Sequence, residues 1–258
     1  MPTNYDNEQR IIDEIHELER SSCLILSDDF ESVNYQRTAQ VLETIFAEDY
    51  LCRWKDNSKS QLPPDFINEI DSIMMEVMRI DDHSADGRNN PVLKREKEMH
   101  KELESMMHLF HNAKNVFCNP VTDLPAEEDH NYKFYYSSFQ RTVRKHSSKI
   151  EKYRMNHPDK KLIFLVMDET SGIYFEMFDE KTCLGRLHLP FFDNRFLNEF
   201  IDKDIDYLIF YSPFNHFETL QHHDELPHLV IFDVKHLKNS KMMQFIDYDE
   251  SKMKSCEL

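Results

Sequence analysis

Apolar residues fill nearly every position from Ile73 to Ile80 (IMMEVMRI), the pattern of a strand covered on both faces. Lys161 to Met167 (KLIFLVM), Asp206 to Tyr211 (DYLIFY) and His228 to Val234 (HLVIFDV) repeat that pattern. Between these runs the apolar period lengthens to that of a helix. Ile11, Ile12, Ile15 and Leu18 predict one over Glu8 to Arg20, and Ala39, Leu42, Ile45 and Phe46 predict a second from about Tyr35 to Glu48. Further helices are expected over Val92 to Phe110, from Ser137 or Ser138 to Asn156, and over about Asn194 to Asp202. Tyr50 to Lys55 (YLCRWK) and Pro64 to Ile67 predict two short strands ahead of Ile73. Thr170 to Phe178 reads as a hairpin return, Arg186 to Pro190 as a short extended piece, Cys23 to Leu26 as a short apolar patch, and the chain past Lys238 as a polar, acidic tail. Strands alternating with helices argue for an α/β domain whose sheet is at least partly parallel.

The pattern also leaves one costly residue in place. Glu76 lies in the middle of the Ile73 to Ile80 run, and a buried carboxylate must be hydrogen-bonded, paired or metal-bound. Pro64-Asp65 supplies a second acid from a stretch that can run alongside as the neighbouring strand. Two acids meeting across a hairpin are a way to hold a hard divalent cation. The helix from Ser137 or Ser138 to Asn156 is cationic, with Arg141, Arg144, Lys145, Lys149, Lys152 and Arg154, and its charges either pair with surface acids or point at a phosphate or at the Asp65 and Glu76 carboxylates.

Composition narrows the chemistry. Three glycines, Gly87, Gly172 and Gly185, exclude a Gly-rich phosphate loop of the P-loop or dinucleotide type. A formal charge of −17 repels nucleic acid at long range, so a general nucleic-acid coating protein is disfavoured, although a bound cation can invert the local field. Five cysteines without a CxxC pair, and an acidic N-terminus without a leader-like apolar core, predict reduced thiols in a cytoplasmic protein without a membrane span. The 258 residues suit one large domain.

Helix, three strands, cationic helix and apolar strand give the order αβββαβ. With Pro64-Asp65 and Glu76-Val77-Met78 on the third strand, the chain resembles the PD-(D/E)xK nuclease superfamily. The resemblance covers about 35–170, with 84–136 as an insertion and 171–258 as a C-terminal α/β extension. It implies a restriction-endonuclease-like core with a mixed sheet flanked by helices. It further implies magnesium, with manganese as a substitute, held by Asp65, Glu76 and the Val77 carbonyl and activating a water for attack on a phosphodiester. An acid from the first helix, Glu43 or Glu48, and a polar or basic residue from the later helix, Lys149, Lys145 or Gln140, complete the site that it implies.

Met78 stands where the family pattern has a lysine. Either Lys149 takes over that role and the protein is a metal-dependent nuclease acting on nucleic acid, or the domain is catalytically silent and works as an interaction or regulatory module that self-associates as a homodimer. Weaker candidates are Asp233-Val234-Lys235, which repeats the (D/E)xK spacing, the strand-end acids Asp168 and Glu169, expected to be solvated, and two histidine groups. These are His100, His108 and His111, and His222, His223 and His228 with Asp224.

Overall fold

The computed structural model describes residues 4–27, 32–57, 64–82, 131–170, 173–179, 184–213, 226–237 and 245–256. The helix expected over Val92 to Phe110, His100, His108 and His111, and His222, His223 and Asp224 all lie outside these residues. In chain order the first elements are α1 (Asn4–His16), β1 (Cys23–Leu26), α2 (Val33–Phe46), α3 (Tyr50–Arg53), β2 (Trp54–Asp56), β3 (Phe66–Asn68) and β4 (Ile73–Ile80). They are followed by α4 (Tyr132–Ser147), α5 (Ile150–Asn156), β5 (Lys161–Asp168), β6 (Ile173–Asp179), β7 (Leu184–Leu187), α6 (Asn194–Ile201), β8 (Tyr207–Tyr211), β9 (Leu229–Asp233), α7 (Val234–Leu237) and β10 (Met253–Cys256).

Seven of the described strands form one mixed sheet in the order β1-β9-β8-β5-β4-β3-β2. β4, β5 and β8 run parallel, β2, β3 and β4 form an antiparallel meander, and β1 runs parallel to β9 at the far edge. Residues such as Met75, Val77, Ile163, Leu165 and Ile209 cover one face beneath α1 and α2. Their alternates Met74, Met78, Leu162, Phe164 and Phe210 cover the other beneath α4, α5 and α6. That two-sided burial explains why β4 and β5 read as continuous apolar runs.

Several expectations need correction. Tyr50 to Arg53 is a helical turn, and only Trp54 to Asp56 is strand. Trp54 is buried, and its Nε1 donates to the Thr44 carbonyl at 3.1 Å. The Cys23 to Leu26 patch is an edge strand of the large sheet, and α4 begins at Tyr132, inside the segment expected to be an insertion. The segment 171–258 is not a simple appendage. β8 and β9 complete the large sheet, while β6, β7 and β10, the last drawn from the polar tail, form a separate three-stranded sheet.

The turn between β3 and β4 sets the register that matters for the site. Asn68 closes it, accepting from the Asp71 amide and donating to the Asp71 carboxylate, each at 2.9 Å, while Arg53 holds the same carboxylate at 3.0 Å. Ser72 takes a left-handed φ of 54°, and its carbonyl accepts from the Lys161 amide at 2.9 Å, which ties the turn to β5. The pairing ends at Phe66 and Met75, and just beyond it Asp65 turns its carboxylate to the Val77 amide, beside Glu76 in the chain.

Candidate functional site

Glu76 is 1 % exposed on the sheet face beneath α4 and α5. His146 Nδ1–H donates to Glu76 Oε1 at 2.5 Å, and Lys149 Nζ donates to the same oxygen at 3.1 Å. Both arrive from the α4–α5 joint. Ser148 and Lys149 keep right-handed helical backbone there, and the turn is carried by Ser148 N to Arg144 O (3.1 Å), Lys149 N to His146 O (3.0 Å) and Tyr153 N to Lys149 O (3.0 Å). The helical phase therefore survives the joint, and Phe139, Val143, His146, Ile150 and Tyr153 fall on one line facing the sheet. His146 replaces an apolar residue where that line crosses Glu76.

Asp65 meets Glu76 from β3's end, and its Oδ2 accepts from the Val77 amide at 2.8 Å. The two carboxylates are driven apart in acidity. Burial works against the Glu76 charge, but His146, Tyr153 and Lys149 outweigh it and hold Glu76 below the ordinary carboxylate range. Burial, and then the Glu76 charge, push Asp65 up to about 8 against the Val77 hydrogen bond. Near neutral pH the pair thus carries one proton, held on the Asp65 side.

A third acid joins them. Glu8 on α1 is half-buried, and burial followed by the charges of Glu76 and Asp56 raises its pKa, with Arg79 and Lys149 opposing. Glu76 Oε2, Glu8 Oε2 and the Tyr153 hydroxyl are all buried and short of a protein partner at full hydrogen-bond distance, although the Tyr153 hydroxyl is close enough to Glu76 for the two to shift one another. Burial and the nearby Glu76 carboxylate push the Tyr153 hydroxyl far above the ordinary tyrosine value. Among the described residues no three His, Cys, Asp or Glu side chains converge as a metal cage. Two neighbouring carboxylates with Glu8 beyond them are what the fold builds.

Asp65, Glu76, Val77 and Lys149 are thus brought together, and the other named residues lie elsewhere. Glu43 is exposed and ion-paired to Arg20, and Glu48 is exposed. Gln140 turns away to Glu199 (2.6 Å) and the Tyr136 hydroxyl (3.2 Å), and Lys145 is exposed on α4. Asp233-Val234-Lys235 does not lie on one strand. Asp233 ends β9 and caps α7 through the Lys235 and His236 amides, while Lys235 Nζ reaches Asp206 at 2.9 Å. Asp168 is buried, not solvated, accepting from the Tyr135 hydroxyl at 2.6 Å and from Thr170, and Glu169 is paired with Arg79. His228 is buried beside the Ser212 carbonyl.

Sequence reasoning missed Glu8 and His146, yet a signal for both was present. Glu8 precedes Ile11, Ile12 and Ile15 by three, four and seven residues, so it extends the apolar stripe of α1. His146 interrupts the stripe of α4 in the same way. No family model, curated protein or solved structure matches this chain.

Proposed function

We propose that the protein is a metal-dependent phosphodiesterase of nuclease type acting on nucleic acid, with a PD-(D/E)xK-like site on Asp65, Glu76, the Val77 carbonyl and Lys149. The observation that carries this reading is the Lys149 ammonium at Glu76, the carboxylate whose charge acts on Asp65. A cation from the following helix stands where the motif needs one and Met78 offers none. The element order supports the reading as well. The β2–β3–β4 meander is followed by α4 and α5 and then by β5 parallel to β4, the arrangement expected of a restriction-endonuclease-like core.

The acids suit magnesium, or manganese in its place. Magnesium keeps most of its waters and needs only one or two carboxylates from the protein. A cation held by Asp65 and Glu76 would offset the Glu76 charge that, after burial, raises Asp65, and Glu8 Oε2 is a buried oxygen without a protein partner. Bound there, such an ion lowers the pKa of a coordinated water and screens phosphate charge. The chain's own groups do the rest. His146 and Lys149 fix Glu76 through one oxygen, the other lies on the side of the Tyr153 hydroxyl, and Asp65 gives up its proton on binding. Lys149, 38 % exposed, can turn its ammonium to the phosphate and stabilise charge as it develops. Glu8 takes the part expected of Glu43 or Glu48.

A second reading, a silent nuclease-fold protein that binds partners, is favoured by one observation: Glu76 already has its hydrogen bonds from His146 and Lys149 within the fold. Calorimetric titration of magnesium and manganese into wild type and Glu76→Ala separates the two. Heat in the wild type that is lost in the variant supports the metal site. No heat in the wild type removes it and leaves the silent protein.

A further inference from the structure

The cationic helix pair sorts its charges by flank. On the flank toward α6 and β8, the cations Arg144 and Arg154 meet acids. Arg144 reaches Glu199 at 3.4 Å, and Arg154 reaches Asp204 at 3.0 Å and Asp206 at 2.8 Å. Gln140 on the same side also donates to Glu199. Lys145, Lys149 and Lys152 follow one another at i, i+4 and i+7 through the helical joint, so they share the opposite flank, toward β3 and β4. Lys149, the middle one, reaches down to Glu76. Lys145 and Lys152 are exposed, and among the described residues neither has an ion-pair or hydrogen-bond partner.

In a chain of charge −17, acids to pair with are plentiful, and the paired flank of the same helices shows them in use. Two unpaired lysines on either side of the one that touches the candidate site are therefore open to a partner from outside. Asn156, seven residues after Lys149, continues the flank with a buried Nδ2 that has no protein partner, adding a neutral donor at its end. The three lysines span about two helical turns, roughly 10 Å of rise, which covers between one and two phosphate spacings of an extended strand.

We infer that Lys145 and Lys152 form a backbone track, in which successive phosphates of a nucleic-acid strand lie along the α4–α5 joint and bring the scissile phosphate to Lys149. The inference rests on the phosphodiesterase reading and adds to it where the substrate lies and how it is held. It also explains how a strongly acidic protein can hold a polyanion: the contact is local, and Lys145 and Lys152 are left without the acids that would neutralise them.

The test is fluorescence anisotropy with a labelled DNA duplex and a single strand of the same sequence, in calcium so that binding is read without cleavage. Lys145→Glu with Lys152→Glu is compared with Lys133→Glu with Lys254→Glu, exposed lysines off the track that change the net charge by the same amount. The track variant is expected to bind about tenfold or more weakly and to lower the slope of log affinity against log salt by about two, while the control pair stays near wild type. Lys145→Gln with Lys152→Gln should shift in the same direction by less, and emission from the buried Trp54 reports that each variant is folded. Equal loss in the track and control pairs, or no DNA binding by the wild type, overturns the track. Magnesium calorimetry on the track variant keeps the two ideas separate. Metal heat with lysine-independent binding sinks the track alone, whereas lysine-dependent binding without metal heat in the wild type upholds the track and sinks the phosphodiesterase. Preference for the duplex or the strand identifies which form of backbone the lysines follow.

Discussion

Lys149 Nζ lies 3.1 Å from Glu76 Oε1, although 73 positions of chain separate the two residues. The contact exists because α4 runs past its own end without losing helical phase. Replacing Lys149 by Met tests what the ammonium does. Glu76 keeps its His146 hydrogen bond, so Lys149→Met should fold and still bind magnesium by calorimetry. Under the proposed phosphodiesterase reading, cleavage of plasmid DNA should fall by about 10² to 10³, the loss typical of removing one preorganised charge-stabilising donor. Undiminished cleavage would assign the catalytic cation elsewhere.

Under the proposed nuclease-type reading Met78 stands at the position of the motif lysine, and its surroundings explain why a lysine does not belong there. It is fully buried in the cluster that holds Tyr132, Tyr135 and Phe139 of α4. Met78→Lys is therefore expected to destabilise by at least about 3 kcal/mol, because an unpaired ammonium would enter an aromatic core, and to leave cleavage no higher. Met78→Leu keeps volume and polarity and should cost less than about 1.5 kcal/mol. Urea unfolding followed by Trp54 emission measures both.

The strands carrying Glu76 and Lys161 to Met167 were readable because burial on both faces leaves an unmistakable apolar run. Asp65 beside Glu76 was readable too, since a hairpin can only bring two such neighbours together. What escaped was local in origin but tertiary in outcome. Tyr50 to Arg53 alternates like a strand, and only the short helical turn bridging Asp49 and Trp54 reveals otherwise. Cys23 to Leu26 is too short to distinguish from a loop until β9 pairs with it. Glu43 and Glu48 lie on and just past α2, next to the strands, but the further acid whose charge reaches the site is Glu8 of α1. Glu8 and His146 both sit on apolar stripes, and an ionisable residue on such a stripe deserves to be read as Glu76 was, as a group that must find a partner.

Tyr135 and Asp168 form a second buried pair, with the phenol donating to the carboxylate at 2.6 Å at the carboxyl end of β5. Burial pushes Asp168 up to about 6 in spite of that bond and those from Thr170. Tyr135→Phe removes only the hydroxyl. It should cost about 1 to 3 kcal/mol, the penalty for leaving a buried acceptor short of a donor, and it should leave magnesium heat unchanged because the pair lies outside the candidate site. A loss of metal heat would show that the two clusters are one system.

Asp65 gives the site a pH signature whose sign is fixed by its environment. Burial, Glu76 and Glu8 raise its pKa to about 8, with the Val77 amide and Lys149 opposing, against an ordinary value of 3.8. Between those values the unfolded chain has released the proton while the folded protein still holds it, so the Asp65 contribution to stability declines as pH rises from about 4 to about 8. Glu76 acts in the opposite sense and in a lower window. Its pKa is depressed, so its contribution is present above the ordinary value of 4.5 and is lost as pH falls. Asp168 also declines with rising pH, but only up to about 6. The interval from about pH 6 to about pH 8 therefore isolates Asp65 from these two carboxylates. Urea midpoints should drop across it in the wild type and change less in Asp65→Asn, which stays neutral throughout. Magnesium affinity should rise across the same interval, because the cation competes with the Asp65 proton, by at most tenfold per pH unit for one proton released. Parallel urea profiles for wild type and Asp65→Asn would mean that Asp65 is ionised at neutral pH, and the proton shared by the pair would have to be abandoned.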